Sequence, residues 1–408
     1  MTTPNLVGLG AHPARSWLAS ESIASVVAAE DCPFAAAEYE ERLDTVRRRM
    51  SEASIDAMIV FRPSSIEYLC GYHTAETAPQ PLLVTESDTF LYIPDLEVGR
   101  ALASSRAGNV VYCGYADALR GLESFLDHVV SVLPRRARVG IELGHTSTPP
   151  QAVALLRSKD VDPVDGHHLV ENVRLILSAA EVRCVEQAAI HTQAGVEAAV
   201  AEAGKPDATD SSVAGAIAAA LFDRANSASA WGPVVATGRR GGIPHSSWIH
   251  RPLSAGTTFL EFAGAHDRYH APVMRTLSRG RPDANGRRLA DLSKTALAAV
   301  LEHARAGVTC AQVADRAVEA LGRLPEDIVF HQLFGYPVGL AHKPHWMDGA
   351  PFYLTPDNHE PLQAGMVFHV PASFRSFGDS GVGLSQTFVV ADGGARVLTH
   401  GAAALIEL

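Results

Sequence analysis

The spacing of apolar residues changes character near residue 175, and this change constrains the fold more than any other feature. Before it, short β-branched or aromatic runs alternate with helical segments. After it, alanine-rich helical segments lead into long strand-like runs broken by glycine and by titratable residues. Alternating strands and helices predict an α/β domain, and segregated helices and strands predict an α+β domain. We therefore predict two domains, over residues 1–172 and 173–408.

The elements of the first domain follow from local periodicity. Leu43, Val46 and Met50 recur at helical spacing within residues 37–53, and residues 121–133 show a second helical pattern. Five short runs bounded by Pro, Gly, Asp and Ser predict strands over residues 57–61, 81–85, 88–94, 109–115 and 138–143.

The second domain is predicted to begin with a capped helix. Ser178 can accept a hydrogen bond from the helix start, and Glu181 stands three residues later in capping-box register. Helices are predicted over residues 178–203, 210–226, 286–306 and 310–322, and strand-rich regions over 231–280 and 329–399.

The charge balance and the cysteines exclude several classes of protein. The 408 residues include 34 Lys and Arg against 45 Asp and Glu, for a formal net charge of −11 with no basic run, so neither nucleic acid nor an anionic membrane surface is expected as a partner. No apolar run approaches the ~20 residues that span a bilayer. The five cysteines are widely spaced and form no CxxC pair, which indicates a cytoplasmic protein without a disulfide framework.

Two residues of the second domain are candidates for acid–base chemistry. Glu261 interrupts an apolar strand, where a buried carboxylate needs either a partner or a raised pKa. It suits a general base or nucleophile, and the alternative is a structural pair with an arginine such as Arg275. His245 lies in a glycine-rich loop that lets a substrate approach, where an imidazole can transfer protons near neutral pH. The alternative for His245 is a solvated, inert side chain.

A further group of polar residues lies among apolar ones. His342, Lys343 and His345 precede Trp346, and His369 is flanked by valine and phenylalanine. Each histidine alone is explained by hydrogen bonding in the core or at its rim. Together with the tryptophan they suit a small polar ligand that has an apolar face.

The 18 histidines suggest a metal, and the carboxylates argue against one. A dinuclear hydrolase centre needs several Asp or Glu ligands to offset its charge. The segments around Glu261 offer only three other acids, Asp267, Asp348 and Asp379, and contain neither HExxH nor HxH. We therefore predict no metal cofactor.

Several motifs occur in the order found in one superfamily. They are SSIEYLCGYHTAETAPQPLLV (64–84), ILSAAEVRCVEQAA (176–189), GGIPHSSW (241–248), LEFAGAHDRYHAPVMRT (260–276) and GYPVGLAHKPHW (335–346). They resemble the creatinase/aminopeptidase P superfamily, most closely its ectoine-hydrolase and creatinase branch, and the first resembles the family's Tyr-Leu-x-Gly-Tyr strand turn. The resemblance implies an α/β N-terminal domain and an α+β pita-bread C-terminal domain, a curved antiparallel sheet covered by helices.

The resemblance also implies loss of the metal centre. The five ligand positions of metal-dependent members correspond here to Glu261, Pro272, Tyr336, Pro371 and either Ser385 or Gln386, so one possible ligand of five remains. Creatinase-like members also lack metal, and the resemblance assigns His245 as the acid–base histidine.

These features predict a metal-independent hydrolase that cleaves a non-peptide C–N bond in a small cyclic amidine or guanidino amino acid. Glu261 attacks the carbon or activates water, and His245 protonates the departing nitrogen. Arg275 and Lys343 are candidates to bind the substrate carboxylate. The residues predicted to shape the pocket are Tyr269, His342, His345, Trp346, His369 and Gln386.

Two alternatives remain open: a lyase or metal-dependent Xaa-Pro-type peptidase on the same fold, and a non-catalytic protein that binds small molecules.

The resemblance further implies a homodimer in which the N-terminal domain of one chain covers the partner's active site. His73 and Glu76 are the predicted contributors to that site, and the alternative is an exposed polar loop.

Overall fold

The computed structural model describes residues 4–10, 30–75, 78–115, 120–166, 168–253 and 255–408. The chain divides into two compact units, Met1–Val173 and Arg174–Leu408. None of the helices within the described ranges is long and apolar enough to cross a membrane.

The N-terminal unit contains a seven-stranded sheet in the order β1-β5-β4-β3-β2-β6-β7. Its strands are β1 Asn5–Gly8, β2 Ala57–Val60, β3 Leu82–Thr85, β4 Thr89–Pro94, β5 Asn109–Cys113, β6 Val139–Ile141 and β7 Val164–Asp165. Strand β3 runs antiparallel to β2 and β4, and the other pairs are parallel. The five strands predicted from the sequence are confirmed.

Helices connect and cover this sheet. They are α1 Ala36–Glu52, α2 Pro63–Cys70, α3 Val98–Ser104, α4 Gly121–Val132, α5 Pro150–Ser158 and α6 Leu169–Arg174. Helix α1 buries the predicted face of Leu43, Val46 and Met50. Helix α4 packs Phe125 and Leu126 into the main core of the unit, and each such side chain stabilises the fold by roughly 1.5–3 kcal/mol. The α/β prediction is confirmed.

One local prediction in this unit is wrong. The Tyr68-Leu69-Cys70 segment was expected at a strand turn, but it forms the last turn of α2. Gly71 follows with φ 82°, a left-handed conformation that glycine adopts at helix ends without steric cost.

Within its described residues, the C-terminal unit combines four α-helices with three sheets. The helices are α7 Ala179–Ala203, α8 Asp210–Asp223, α9 Ala284–His303 and α10 Cys310–Leu321. The first sheet, in the order β18-β10-β9-β8, consists of β8 Val234–Thr237, β9 Gly256–His266, β10 Tyr269–Arg279 and β18 Ile406–Glu407. The second, β11-β14-β15, consists of β11 Ile328–Val329, β14 Ser373–Ser376 and β15 Ser380–Gly383. The third, β12-β13-β16-β17, consists of β12 Tyr336–Pro337, β13 Val367–Val370, β16 Gln386–Ala391 and β17 Gly394–Val397.

The predicted capping box at the start of α7 is confirmed. The Ser178 hydroxyl accepts a hydrogen bond from the Glu181 backbone N–H at 3.2 Å, and the Glu181 carboxylate accepts one from the Ser178 N–H at 2.8 Å. These two bonds satisfy donors that a helix start otherwise leaves unpaired.

Helix α7 lies unusually close to β9. A Cβ atom at Gly264 would stand 2.4 Å from the carbonyl oxygen of Ala188. The Thr192 hydroxyl accepts a hydrogen bond from the Gly264 N–H at 2.8 Å and contacts the Ala271 carbonyl oxygen at 2.7 Å. The small residues of α7 thus bring the helix onto β9 and β10 and fix the two strands that carry the candidate site.

Candidate active site

Glu261 lies in the middle of β9 and points away from α7. It pairs with Val234 and Met274 in the two neighbouring strands. Its neighbours Leu260 and Phe262 pack in the core cluster that contains α7 and α8 residues, so strand alternation places Glu261 on the opposite face. The side chain is only 6 % exposed, and burial raises the pKa of the carboxyl to about 7. Glu261 therefore exchanges its proton near neutral pH.

The cation that faces Glu261 is Arg375 on β14, whose charge acts to lower the pKa of the carboxyl. The Arg375 guanidinium carbon lies 4.9 Å from the centre of the Phe259 ring. Its Nε atom is buried and has no hydrogen-bond partner among the described residues. A buried donor without a partner is costly, so Arg375 is suited to bind an anionic ligand group.

Arg275 does not have the predicted role. It is 1 % exposed, and its Nη1 atom donates to the carbonyl oxygens of Met274 and Ser385. Its Nη2 atom donates to Gln386 Oε1 and to the His400 carbonyl oxygen. Because all the Nη hydrogens are used within the protein, Arg275 holds these segments together and is not available for a substrate carboxylate. It is also not the arginine that faces Glu261.

Gln386 belongs to the same structural network. Its amide nitrogen donates to the Gly401 carbonyl oxygen at 3.0 Å, and its amide oxygen accepts from Arg275 and from the Thr399 hydroxyl. These bonds pack β16 against the C-terminal segment, and the pocket role of Gln386 stays a prediction.

Tyr336, His369 and Ser385 form a continuous buried chain of hydrogen bonds. His369 lies opposite Tyr336 across the β12–β13 ladder. Its Nδ1 atom is 2.6 Å from the Tyr336 hydroxyl, and its Nε2 atom is 2.7 Å from the Ser385 hydroxyl. Trp346 Nε1 donates to the Tyr336 hydroxyl at 2.9 Å. Burial, with the nearby positive charge of Arg275, lowers the pKa of His369 to about 3. His369 is therefore a neutral imidazole at physiological pH.

Trp346 also connects the buried hydrogen bonds of Tyr336 and His369 to an aromatic cluster that includes the candidate acid His245. Trp231 lies between the groups, with ring-centre distances of 5.8 Å to His245, 4.6 Å to His345 and 5.0 Å to Trp346. Burial, followed by the charge of His245, lowers the pKa of His345 to about 4. His245 itself is exposed and has φ 59°. The structure thus brings together three residues predicted from the sequence and adds Trp231.

The remaining residues predicted to shape the pocket have different environments from one another. His342 is half-buried and its backbone N–H donates to Asp348 at 3.3 Å, whereas Lys343 is exposed. The Tyr269 hydroxyl donates to the Glu181 carboxylate at 2.7 Å. This bond supports the start of α7, and the pocket role of Tyr269 stays a prediction.

His270 is a buried residue that the sequence interpretation missed. Its Nε2 atom accepts a hydrogen bond from the Ala230 N–H at 2.9 Å, and its Nδ1 atom lies 3.4 Å from the Gly339 carbonyl oxygen. Burial lowers the pKa of the imidazole to about 4. Neutral His270 therefore holds the segment that leads into Trp231. A titratable residue within the apolar strand β10 was the sequence signal that could have identified His270.

His73 lies in the N-terminal unit and is held by that unit. Its Nε2 atom accepts a hydrogen bond from Arg100 at 2.9 Å, and its Nδ1 atom is 3.7 Å from the Glu67 carboxylate. Glu76 lies outside the described residues.

The side chains at the site do not form the ligand set of a dinuclear metal centre. In the described part of the chain, no three His, Cys, Asp or Glu side chains are arranged to hold a metal ion. Glu261 supplies one carboxylate, and both ring nitrogens of His369 are engaged with hydroxyl groups. Divalent ions in such centres require several oxygen ligands, so the residues present do not fit one.

Comparison with known proteins gives matches along nearly the whole chain. Residues 183–392 match the model of metallopeptidase family M24, and residues 42–176 match that of the creatinase/prolidase N-terminal domain. The ectoine hydrolase of Halomonas elongata is 27% identical and is matched over 90% of this chain and 96% of its own length. The Xaa-Pro dipeptidase of Pyrococcus furiosus is 22% identical over 88% of this chain and 97% of its own.

Solved structures show the same two-domain fold. The dipeptidase PepE of Mycobacterium ulcerans superimposes with a TM-score of 0.77 at 23% identity, covering 92% of this chain and 99% of that one. The prolidase of Pyrococcus horikoshii gives 0.76 at 20% identity, covering 90% and 100%. The predicted pita-bread fold is confirmed, and the chain belongs to metallopeptidase family M24.

Proposed function

We propose that this M24 hydrolase cleaves a non-peptide C–N bond of a small cyclic amidine or guanidino amino acid without a metal ion. The observation that carries the proposal is the environment of Glu261, a buried carboxyl with a pKa of about 7 that faces Arg375. A carboxylate with this pKa acts as a base or nucleophile at neutral pH. The ectoine hydrolase relative supports a substrate with a non-peptide C–N bond.

Glu261 promotes attack on the substrate carbon. As a carboxylate it either attacks the amidine carbon or removes a proton from the water that attacks it. The C–N bond then breaks as the departing nitrogen takes a proton from His245. Where Glu261 is the nucleophile, water finally hydrolyses the bond between Glu261 and the substrate carbon and frees the carboxylate. The rings of Trp231 and His345, tilted by 31° at a ring-centre distance of 4.6 Å, provide an apolar wall with polar edges beside this histidine.

The substrate carboxylate binds to Arg375 in this proposal. The Nε atom of Arg375 lacks a partner among the described residues, and the guanidinium faces the reacting carboxyl. Lys343, exposed on a neighbouring loop, is the second candidate. A guanidinium can bind a carboxylate through two parallel hydrogen bonds and so orient the reacting carbon.

Turnover of defined probes tests the proposal. The purified full chain, treated with a chelator and then dialysed, is incubated with ectoine, creatine, other amidines and Xaa-Pro dipeptides, and products are identified by mass spectrometry. We expect an amidine or guanidine to be hydrolysed, with activity lost in Glu261→Gln and strongly reduced in His245→Ala. The exposed Glu326→Gln and His331→Ala variants are matched controls that should retain activity.

Three results would contradict the proposal. Turnover of Xaa-Pro dipeptides that depends on about two equivalents of bound metal would identify the peptidase that the Pyrococcus relative represents. Thermal stabilisation by a probe with no product would indicate a binding protein. Wild-type turnover in both Glu261→Gln and His245→Ala would place the chemistry elsewhere.

We also propose that the protein is cytoplasmic and forms a homodimer in which His73 reaches the partner's active site. Within its own unit the His73 ring accepts a hydrogen bond from Arg100 and lies near Glu67, so this part of the proposal rests on the resemblance to the creatinase/aminopeptidase P superfamily. Light scattering should give twice the chain mass. Mixing inactive Glu261→Gln with a His73→Ala variant should restore part of the activity, and a monomeric active enzyme would overturn the assignment.

A further inference from the structure

The Tyr336 hydroxyl is a buried polar group that the mechanism above does not use. Its hydrogen-bonded chain runs through His369 and Ser385 to Met274, the strand partner of Glu261. Tyr336 is 3 % exposed, and its oxygen accepts a hydrogen bond from Trp346 Nε1 at 2.9 Å. Burial, followed by the charge of Glu261, raises the pKa of Tyr336. The acceptor of the phenolic proton therefore decides whether Tyr336 can donate a hydrogen bond to a substrate.

The hydrogen bonds of Ser385 fix the direction of the phenolic proton. Its hydroxyl oxygen accepts a hydrogen bond from the Met274 N–H. In the described part of the chain, the acceptor within reach of the Ser385 hydroxyl proton is His369 Nε2, at 2.7 Å. Since Nε2 accepts, the proton of the neutral imidazole is on Nδ1, which donates to the Tyr336 oxygen at 2.6 Å.

The opposite tautomer is disfavoured by the same contacts. With the proton on Nε2, Ser385 would accept two hydrogen bonds, and its own buried proton would lack an acceptor among the described residues. A buried hydroxyl proton without a partner is destabilising. The network is satisfied when Tyr336 accepts from both His369 and Trp346 and directs its own proton elsewhere.

Two N–H donors on one phenolic oxygen make its O–H a stronger hydrogen-bond donor. We propose that Tyr336 is a catalytic residue that donates a hydrogen bond to the oxygen added at the scissile carbon, and that His369 and Ser385 are positioning residues for it. This inference rests on the proposed function. It assigns to a tyrosine the stabilisation of the negative charge that develops on this oxygen when the tetrahedral intermediate loses its hydroxyl proton and collapses to the C=O product, without a metal ion.

Tyr336→Phe tests the catalytic role in the full chain. We expect kcat to fall about 10²–10³-fold with KM changed less than about threefold, because the donor acts in the transition state. Ser385→Ala should lower kcat less, by about tenfold, and Ser385→Thr, which keeps the hydroxyl, should restore most of it. Tyr115→Phe, at an exposed tyrosine, is the matched control and should leave kcat unchanged.

Glu261→Gln in the same assay separates failure of the inference from failure of the proposed function. Inactive Glu261→Gln together with Tyr336→Phe at wild-type kcat overturns the role of Tyr336 and leaves the proposed function standing. Wild-type kcat in both variants overturns both.

A measurement without substrate tests the proton assignment directly. In the full chain labelled with ¹⁵N-histidine, the His369 signals are identified by their loss in His369→Gln. We expect a neutral ring protonated at Nδ1 from pH 6 to pH 8, shifting toward the other tautomer in Ser385→Ala. A ring protonated at Nε2, or an imidazolium at pH 6, would overturn the inference.

Discussion

Nδ1 of His369 lies 2.6 Å from the hydroxyl of Tyr336, its direct partner in the β12–β13 ladder. Both side chains are almost fully buried, and Ser385 and Trp346 complete the hydrogen bonding on either side. Polar groups in the interior of a domain are tolerated when each has a partner, and removal of one member leaves the others unsatisfied.

Replacement of His369 by leucine should therefore destabilise the protein. The substitution leaves the buried Ser385 proton without an acceptor and removes a donor to Tyr336, for an expected loss of about 3 kcal/mol in the free energy of unfolding. Urea unfolding followed by circular dichroism measures the change. His331→Leu, at an exposed histidine, should stay within about 0.5 kcal/mol of wild type. Equal stabilities in the two variants would show that the network does not hold β12 to β13.

Glu261 should make stability depend on pH. Its pKa of about 7, against an ordinary 4.5, means that the unfolded chain loses this proton at lower pH than the folded protein does. Its contribution is thus fully favourable below about pH 4.5 and is lost as pH rises toward 7, with a total of about 3 kcal/mol.

Glu261→Gln removes this dependence. The variant should gain stability relative to wild type between pH 5 and pH 8, up to about 3 kcal/mol. Burial raises the pKa of Glu142 to about 7 as well, but this group is common to both proteins and its effect cancels in the difference. Urea midpoints that differ by the same amount at every pH would contradict a raised pKa for Glu261.

Local sequence signals predicted the elements with strong periodicity or caps. Helix α7 begins at its Ser178–Glu181 capping box, and the five predicted strands of the N-terminal sheet are present. Helix α2 was missed although Pro63 and Gly71 mark its ends. It is eight residues long and buried on nearly every side, so it lacks the amphipathic pattern that identifies a helix from sequence.

In the candidate site, too, local sequence signals identified some residues, and others depend on long-range contacts. Glu261 and His369 were identifiable because each titratable residue interrupts an apolar strand. Arg375 was not, since the choice between Arg275 and Arg375 depends on which sheet faces β9, a long-range relationship. Trp231 was missed for the same reason, because its partners His245 and His345 are distant in sequence.

Arg375→Met should change both substrate binding and the pH profile. Loss of the guanidinium removes the charge that lowers the pKa of Glu261, so the acidic limb of kcat/KM should move to higher pH. KM for a substrate with a carboxylate should rise about tenfold or more, because a charge-assisted hydrogen bond contributes about 1.5–3 kcal/mol.

Arg375→Lys keeps the charge and should shift the pH limb less than Arg375→Met does. Arg323→Met, at an exposed arginine, is the surface control. An unchanged acidic limb in Arg375→Met would show that Glu261 does not sense this cation during turnover.

Gly264→Ala should disturb the packing of α7 against β9, the strand that carries Glu261. The added Cβ atom would stand 2.4 Å from the Ala188 carbonyl oxygen and 2.6 Å from the Thr192 nitrogen, and backbone atoms cannot yield as a flexible side chain does. Helix α7 must move away from β9, at an expected cost of about 3 kcal/mol. The activity should fall with it, since Glu261 lies three residues earlier on the same strand.

The matched control is Gly215→Ala in α8, where a Cβ atom meets no neighbour within 4 Å. That variant should gain about 0.5–1 kcal/mol from the higher helix propensity of alanine. Urea unfolding of both variants decides the point, and a Gly264→Ala protein as stable as wild type would show that the close contact of α7 with β9 is not required.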